Sequence, residues 1–182
     1  MKNIIFLDCE FNDLLFPELL SVGLVAANGG EHYVELDPND ASADAPMSSA
    51  SSFVQDHVLS QWGRVPGASC SHQEMRERTA AWLLAVSQRS GEPIKVAFDH
   101  PNDYRLLVEL LSESVQWEVV RNFIIPYNVT DDTARFDASI GAGLMLGQVE
   151  KQRGIGRHHA LADAHALRAA FVAAMTGKRV KL

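Results

Sequence analysis

Four acids and a pair of histidines stand where residues of their kind can do chemistry. Asp8 and Glu10 close an apolar run, Ile4-Ile5-Phe6-Leu7, two residues apart. Side chains alternate along a strand, so both carboxylates face one side and Cys9 the other. Two ionised acids at the end of a buried strand repel each other unless a cation joins them. A D-x-E pair alone is unspecific, since this composition yields about 0.7 by chance. Its place beside buried apolar residues is what singles it out. Asp103 opens a segment in which Leu106, Leu107 and Leu110 recur at helical spacing, so its carboxylate lies on the apolar face. An acid there also suits a helix cap or the positive end of a helix dipole. Asp99, at the end of the preceding predicted strand, is a rival for the same role. Asp163 shares its face with Leu167 and Ala170, where an Asp needs a cation or a base such as Arg168. His158 and His159 come just before. Helical spacing favours His159, four residues from Asp163, and puts His158 on a loop; sequence geometry leaves the choice open. His32, His57, His72, His100 and His165 read as structural or surface residues.

The elements that must position these groups follow from periodicity. Residues 3–9 predict a strand buried on both faces, hence central in a sheet. Residues 18–27, the turn Asn28-Gly29-Gly30 and residues 31–36 complete a three-stranded antiparallel meander. Residues 38–52, rich in Pro, Asp, Ala and Ser, predict a mobile surface loop. Phe53, Val54, His57, Val58 and Trp62 have helical spacing, as do Met75, Thr79, Leu83 and Val86. A strand at 94–98, a helix at 102–112, a strand at 116–125 stopped by Pro126, and helices at 137–150 and 159–175 complete the chain. Three strands followed by alternating helices and strands predict an α/β fold around a mixed five-stranded sheet flanked by helices.

The 182 residues, 47% hydrophobic and 21% charged, exclude a disordered chain and suit one domain over 1–177 with a basic tail at 178–182. No apolar run approaches the roughly 20 residues of a membrane span, and Ile4–Leu7 is too short for a secretory signal. Cys9 and Cys70 imply no disulfide framework, so a reducing compartment, the cytoplasm, is expected. The net charge of −7 argues against a broad basic surface for nucleic acid, unless some carboxylates carry metal ions.

Taken together, the motifs resemble the DEDD superfamily of 3′-5′ exonucleases in its histidine variant. Asp8-Cys9-Glu10 matches the first motif, and Val96-Ala97-Phe98-Asp99-His100-Pro101-Asn102-Asp103 the second, with Asp103 in the place of the metal-binding Asp. His158-His159-Ala160-Leu161-Ala162-Asp163 matches the third, H-x-A-L-x-D, which chance supplies about 0.006 times. Ribonuclease T, oligoribonuclease and the proofreading subunit of bacterial replicative polymerase share this arrangement. The helix beginning Phe53-Val54-Gln55-Asp56-His57-Val58-Leu59 is similar to a small bacterial 3′-5′ exoribonuclease family, and the likeness spans roughly residues 1–175.

The resemblance implies a ribonuclease H-like fold and two divalent ions, Mg²⁺ or Mn²⁺, held by Asp8, Glu10, Asp103 and Asp163, with Asp8 bridging. Hard cations prefer oxygen ligands, and two of them assist phosphodiester hydrolysis. It also makes His158 the general base, a role suited to an imidazole. The implied activity is removal of nucleoside 5′-monophosphates from the 3′ end of single-stranded nucleic acid, RNA favoured over DNA. A homodimer is a further expectation from the family. Where many relatives carry Thr after the Glu, this chain has Phe11, and Asn102 stands where an aromatic residue is common. Phe11, Leu14 and Phe16 are candidates for stacking on terminal bases or for the core, and Arg157 for holding a phosphate. Rival readings are a DNA exonuclease of proofreading or repair type, an endonuclease of ribonuclease H type, and a non-catalytic nucleic-acid-binding domain. Two divalent ions would bring the formal −7 to −3, so the acidic balance leaves room for a polyanion gripped at a small metal-centred cleft.

Overall fold

The apolar run that begins at Ile4 becomes β1 (Ile4–Phe11), an interior strand hydrogen-bonded on both sides. The computed structural model describes residues 3–130 and 138–176; the basic tail at 178–182 lies outside them. β1 pairs antiparallel with β2 (Leu19–Ala26), which pairs antiparallel with β3 (Glu31–Leu36), the expected meander. On its other side β1 runs parallel to β5 (Ile94–Phe98), and β5 parallel to β6 (Ile124–Asn128).

Among the described residues the sheet has six strands, not five: with β4 (Ser69–Cys70) beyond β3, the order is β4-β3-β2-β1-β5-β6. The added strand is β4 (Ser69–Cys70), parallel to β3, where the Glu35 N–H donates to Ala68 O and the Asp37 N–H to Cys70 O. Two residues are too few to carry a periodicity. The strand expected at 116–125 is divided: α5 (Trp117–Val120) is followed by β6, and Pro126 lies within that strand instead of stopping it. β6 is an edge strand, where a residue without an N–H is tolerated. The segment expected as a loop at 38–52 is built from a 3-10 turn (Ala41–Ala43) and α1 (Asp44–Ser48). The Asp40 carboxylate caps this turn by accepting from the Ser42 N–H.

α2 (Ser52–His57) starts at a Ser51 cap and leads into a 3-10 turn at Leu59–Gln61. α3 (His72–Ser90) starts at a Ser71 cap and ends at Gly91, whose φ of 67° suits a residue without a Cβ. α4 (Pro101–Ser112) opens with Pro101 in its first turn and buries Leu106, Leu107, Leu110 and Leu111. α6 (Ala138–Arg153) and α7 (Ala160–Thr176) follow.

Helices cover both faces of the sheet. Met75 and Leu83 of α3 and Leu107 and Leu111 of α4 pack with Ile5, Leu7, Leu24, Val34 and Val96. On the other face Leu167 and Phe171 of α7 meet Phe6 and Ala97, the Phe6 and Phe171 ring centroids 5.4 Å apart. Odd-numbered residues of β1 thus face α3 and α4, and even-numbered ones face α7. Asp8 and Glu10 continue the row begun by Phe6. Both cysteines are free and buried. Among the described residues no helix is long and apolar enough to cross a membrane.

Gly23 lies opposite Asp8 in the β1–β2 register. The first turn of α7 sits directly on it: a Cβ there would fall 2.3 Å from Ala160 O and 2.6 Å from the Leu161 N. This bare position brings the start of α7, and with it Asp163, down onto the sheet.

Candidate metal centre

Asp8 stands between two groups of carboxylates. With Glu10 and Asp163 it forms one, with Asp99 and Asp103 the other, and in each group one oxygen per residue lies within 4.8 Å of the others. All four acids of the expected set meet here. Asp99 joins them, so it accompanies Asp103 where the sequence made it a rival. β1 supplies Asp8 and Glu10, α7 supplies Asp163, α4 supplies Asp103, and Asp99 follows the last residue of β5.

Backbone amides hold two of these side chains. The Cys9 N–H donates to Asp103 Oδ1 at 3.3 Å, and the His158 N–H to Asp163 Oδ2 at 2.7 Å. Asp103 Oδ2 is buried with no hydrogen-bond partner among the described residues. The alternative of an Asp163–Arg168 ion pair is not made, because Arg168 donates to Ala27 O at 3.1 Å and 3.3 Å.

Burial opposes ionisation throughout the cluster, and repulsion between the acids adds to it at Asp8, Glu10 and Asp103. Both effects hold the Asp8 carboxyl well above the usual carboxylate range, with Asp103 and Glu10 its foremost neighbours, and Glu10 is raised in the same way. Asp103 is pushed up to about 8 by burial and by Asp99, and Asp163 to about 6. An all-oxygen set with an orphaned buried oxygen, and with no Lys or Arg ion-paired to it among the described residues, fits hard divalent cations such as Mg²⁺ or Mn²⁺.

A pH dependence follows. Between about pH 6.5 and pH 8 the metal-free folded chain retains carboxyl protons that the unfolded chain has lost, so stability falls as pH rises. His32 and His159, held down to about 4 by burial, are neutral in the folded chain over this range, while in the unfolded chain they lose their protons near pH 6.5, so they oppose the trend only at its lower end. A divalent ion bound by the ionised acids removes the deficit. Thermal unfolding with and without Mn²⁺ should therefore show a larger metal-induced rise in Tm at pH 8 than at pH 6.5. Equal rises at both would contradict a strained carboxyl cluster.

A cleft of about 800 Å³ opens over the acids, and Phe11, Leu14, Arg157 and His158 line it together with Asp8, Glu10, Asp103 and Asp163. Arg157 is exposed. Phe11 is half-buried against the core, its ring 5.9 Å from that of His100. Leu14 is 71% exposed and Phe16 84%, which excludes the core alternative for both, and Phe16 lies outside the cleft lining.

The two histidines part company here. α7 begins at Ala160, so neither is helical and the four-residue spacing to Asp163 does not bring His159 to its side. His158, with φ 65°, reaches the cleft, where the Phe53 ring meets it edge-on at 4.9 Å. Burial, Arg157 and His57 hold its imidazole below the usual value. His159 is buried against Tyr33, ring centroids 4.5 Å apart.

The loop before α7 is tied down by a buried residue that the sequence did not single out. Gln61 Nε2 donates to Arg157 O at 2.8 Å and to His57 O at 2.9 Å, while Gln61 Oε1 accepts from the Gly156 N–H at 2.7 Å. Phe53, one residue of the predicted helical stripe, and His100, expected as a structural or surface residue, also line the cleft. No spacing rule marks any of these three as a residue of the cleft. No protein-family model matches the chain, and no curated protein matches it.

Proposed function

We propose that the protein is a metal-dependent 3′-5′ exonuclease of the DEDD superfamily's histidine variant, with a ribonuclease H-like fold, that shortens single-stranded RNA. The observation that carries the reading is the sharing of Asp8 by two carboxylate groups at the floor of a cleft that also holds His158. The order of motifs around that floor supports the family, and the mixed sheet with helices on both faces supports the fold. The choice of RNA rests on the resemblance to the small exoribonucleases.

In this reading Asp8, Glu10, Asp103 and Asp163 hold two divalent ions, which supply charge neutralisation at the scissile phosphate and acidify the attacking water. His158 accepts the proton of that water; its lowered pKa keeps the ring neutral and ready at pH 7. The Gln61 amide holds the backbone of the loop that carries it. Arg157 offers a cation to phosphate, and Phe11 and Leu14 offer apolar surface to the terminal bases.

The test is a 5′-labelled substrate incubated with Mn²⁺ or Mg²⁺. Single-stranded RNA should give a ladder that shortens from the 3′ end and releases nucleoside 5′-monophosphates. Internal cuts would indicate an endonuclease, and equal or faster loss of single-stranded DNA would remove the RNA preference. His158→Ala should lower kcat by about 10²–10⁴-fold, the usual weight of a general base. His159→Ala should act on stability first, and a larger kcat loss from it than from His158→Ala would refute the assignment of the base.

A further inference from the structure

The second carboxylate group contains an acid beyond the four of the proposed set. Asp99 follows Phe98 at the end of β5, and α4 opens two residues later. The turn between them is fixed locally: His100 Nδ1 accepts from the Asn102 N–H at 3.2 Å, and Pro101 begins the helix. That turn lays Asp99 and Asp103 against Asp8, with one oxygen of each within 4.8 Å of the others.

A second observation points to a ligand. Asp103 is only 2% exposed, its Oδ1 takes the Cys9 N–H, and its Oδ2 is buried without a partner. Leaving a buried carboxylate oxygen unsatisfied is costly. Among the described residues no Lys or Arg forms an ion pair with Asp8, Asp99 or Asp103. A hard cation is the partner that would satisfy all three acids at once.

We propose that Asp99 is itself a metal ligand and that Asp8, Asp99 and Asp103 form a three-carboxylate site, distinct from the Asp8–Glu10–Asp163 site but sharing Asp8 with it. Each ion then has three protein carboxylates, so both bind before any substrate arrives. Asp103 is the buried member of this trio and Asp99 its exposed member. The inference rests on the exonuclease reading only for the use of the ions; the binding claim stands on the free protein.

The experiment is a Mn²⁺ titration of the metal-free full-length chain without nucleic acid, read by calorimetry and by the electron paramagnetic resonance signal of free Mn²⁺. The wild type should take up two ions. Asp99→Asn should keep one at wild-type affinity and weaken the other by about 10–100-fold or more, since even residues behind the ligands carry that much. Asp99→Ala, which also removes the carbonyl oxygen, should weaken it at least as far. Asp163→Asn should affect the other ion and spare the one at Asp99. Thermal unfolding of metal-free Asp99→Asn at or above the wild-type Tm shows that the fold is kept. A single ion in the wild type, or two ions at unchanged affinity in Asp99→Asn, overturns the proposal. If binding behaves as expected and no RNA is shortened, the exonuclease reading fails while the Asp99 site stands. If RNA is shortened and Asp99→Asn binds both ions normally, Asp99 alone is misassigned.

Discussion

Asp8→Asn is expected to abolish cleavage while making the metal-free protein more stable. Asp8 is the one residue common to both carboxylate groups, so in the proposed two-ion site its loss would remove a ligand from each ion at once. Activity should fall to the background of a no-enzyme control. The stability effect has the opposite sign because the charge is a burden without metal. Asp8 is held well above the usual carboxylate range by burial, and then by repulsion from Asp103, Glu10, Asp163 and Asp99. A neutral amide of the same shape relieves that repulsion at pH 8. Each ~1 kcal/mol relieved raises Tm by about 2–4 °C in a chain of this size. The rise in Tm that Mn²⁺ gives the wild type should largely disappear. Wild-type cleavage by Asp8→Asn would end the metal reading, and a lower metal-free Tm would show that Asp8 makes a stabilising contact the structure does not reveal.

Gly23→Ala should be as damaging to activity, and by a route that touches no functional side chain. The added Cβ would meet the Ala160 carbonyl at 2.3 Å, against backbone and not a side chain that can swing aside. The start of α7 must lift from β2, and Asp163 and the His158 loop move with it. Overpacking of this kind costs about 1–3 kcal/mol or more. The larger effect is on geometry, since Asp163 Oδ2 and the His158 N–H are locked together across the same turn. Loss of one ion site in a Mn²⁺ titration, with a lowered Tm but a folded circular dichroism spectrum, is the expected signature. Wild-type metal affinity in Gly23→Ala would mean that α7 can shift without disturbing the acids.

The central strand, the meander and the amphipathic α4 were legible in the sequence because each rests on a local period. Ile4–Leu7 can only be an interior strand once both faces are apolar, and Leu106, Leu107, Leu110 and Leu111 can only face a core. The errors fell where a segment was too short or its pattern ambiguous. β4 has two residues, and the apolar stretch before Pro126 fits a short helix and a strand equally well until the sheet order makes β6 an edge.

The same division runs through the site. Position in their elements singled out Asp8, Glu10 and Asp163, and Asp103 with Asp99 as its rival, and period-two alternation already put Asp8 and Glu10 on one face. Which histidine reaches the cleft was not decidable from spacing, because it depends on where α7 begins and on a positive φ at His158. Asp99 could not be placed beside Asp103 as a partner until the β5–α4 turn was closed. Gln61 gave no signal at all, since its hydrogen bonds join residues some 95 positions apart. Local period and charge placement determined which acids would seek a cation. Only the packing of α7 onto the bare Gly23, and the turns that bring distant backbone together, decided how those acids group around Asp8 and which histidine reaches their cleft.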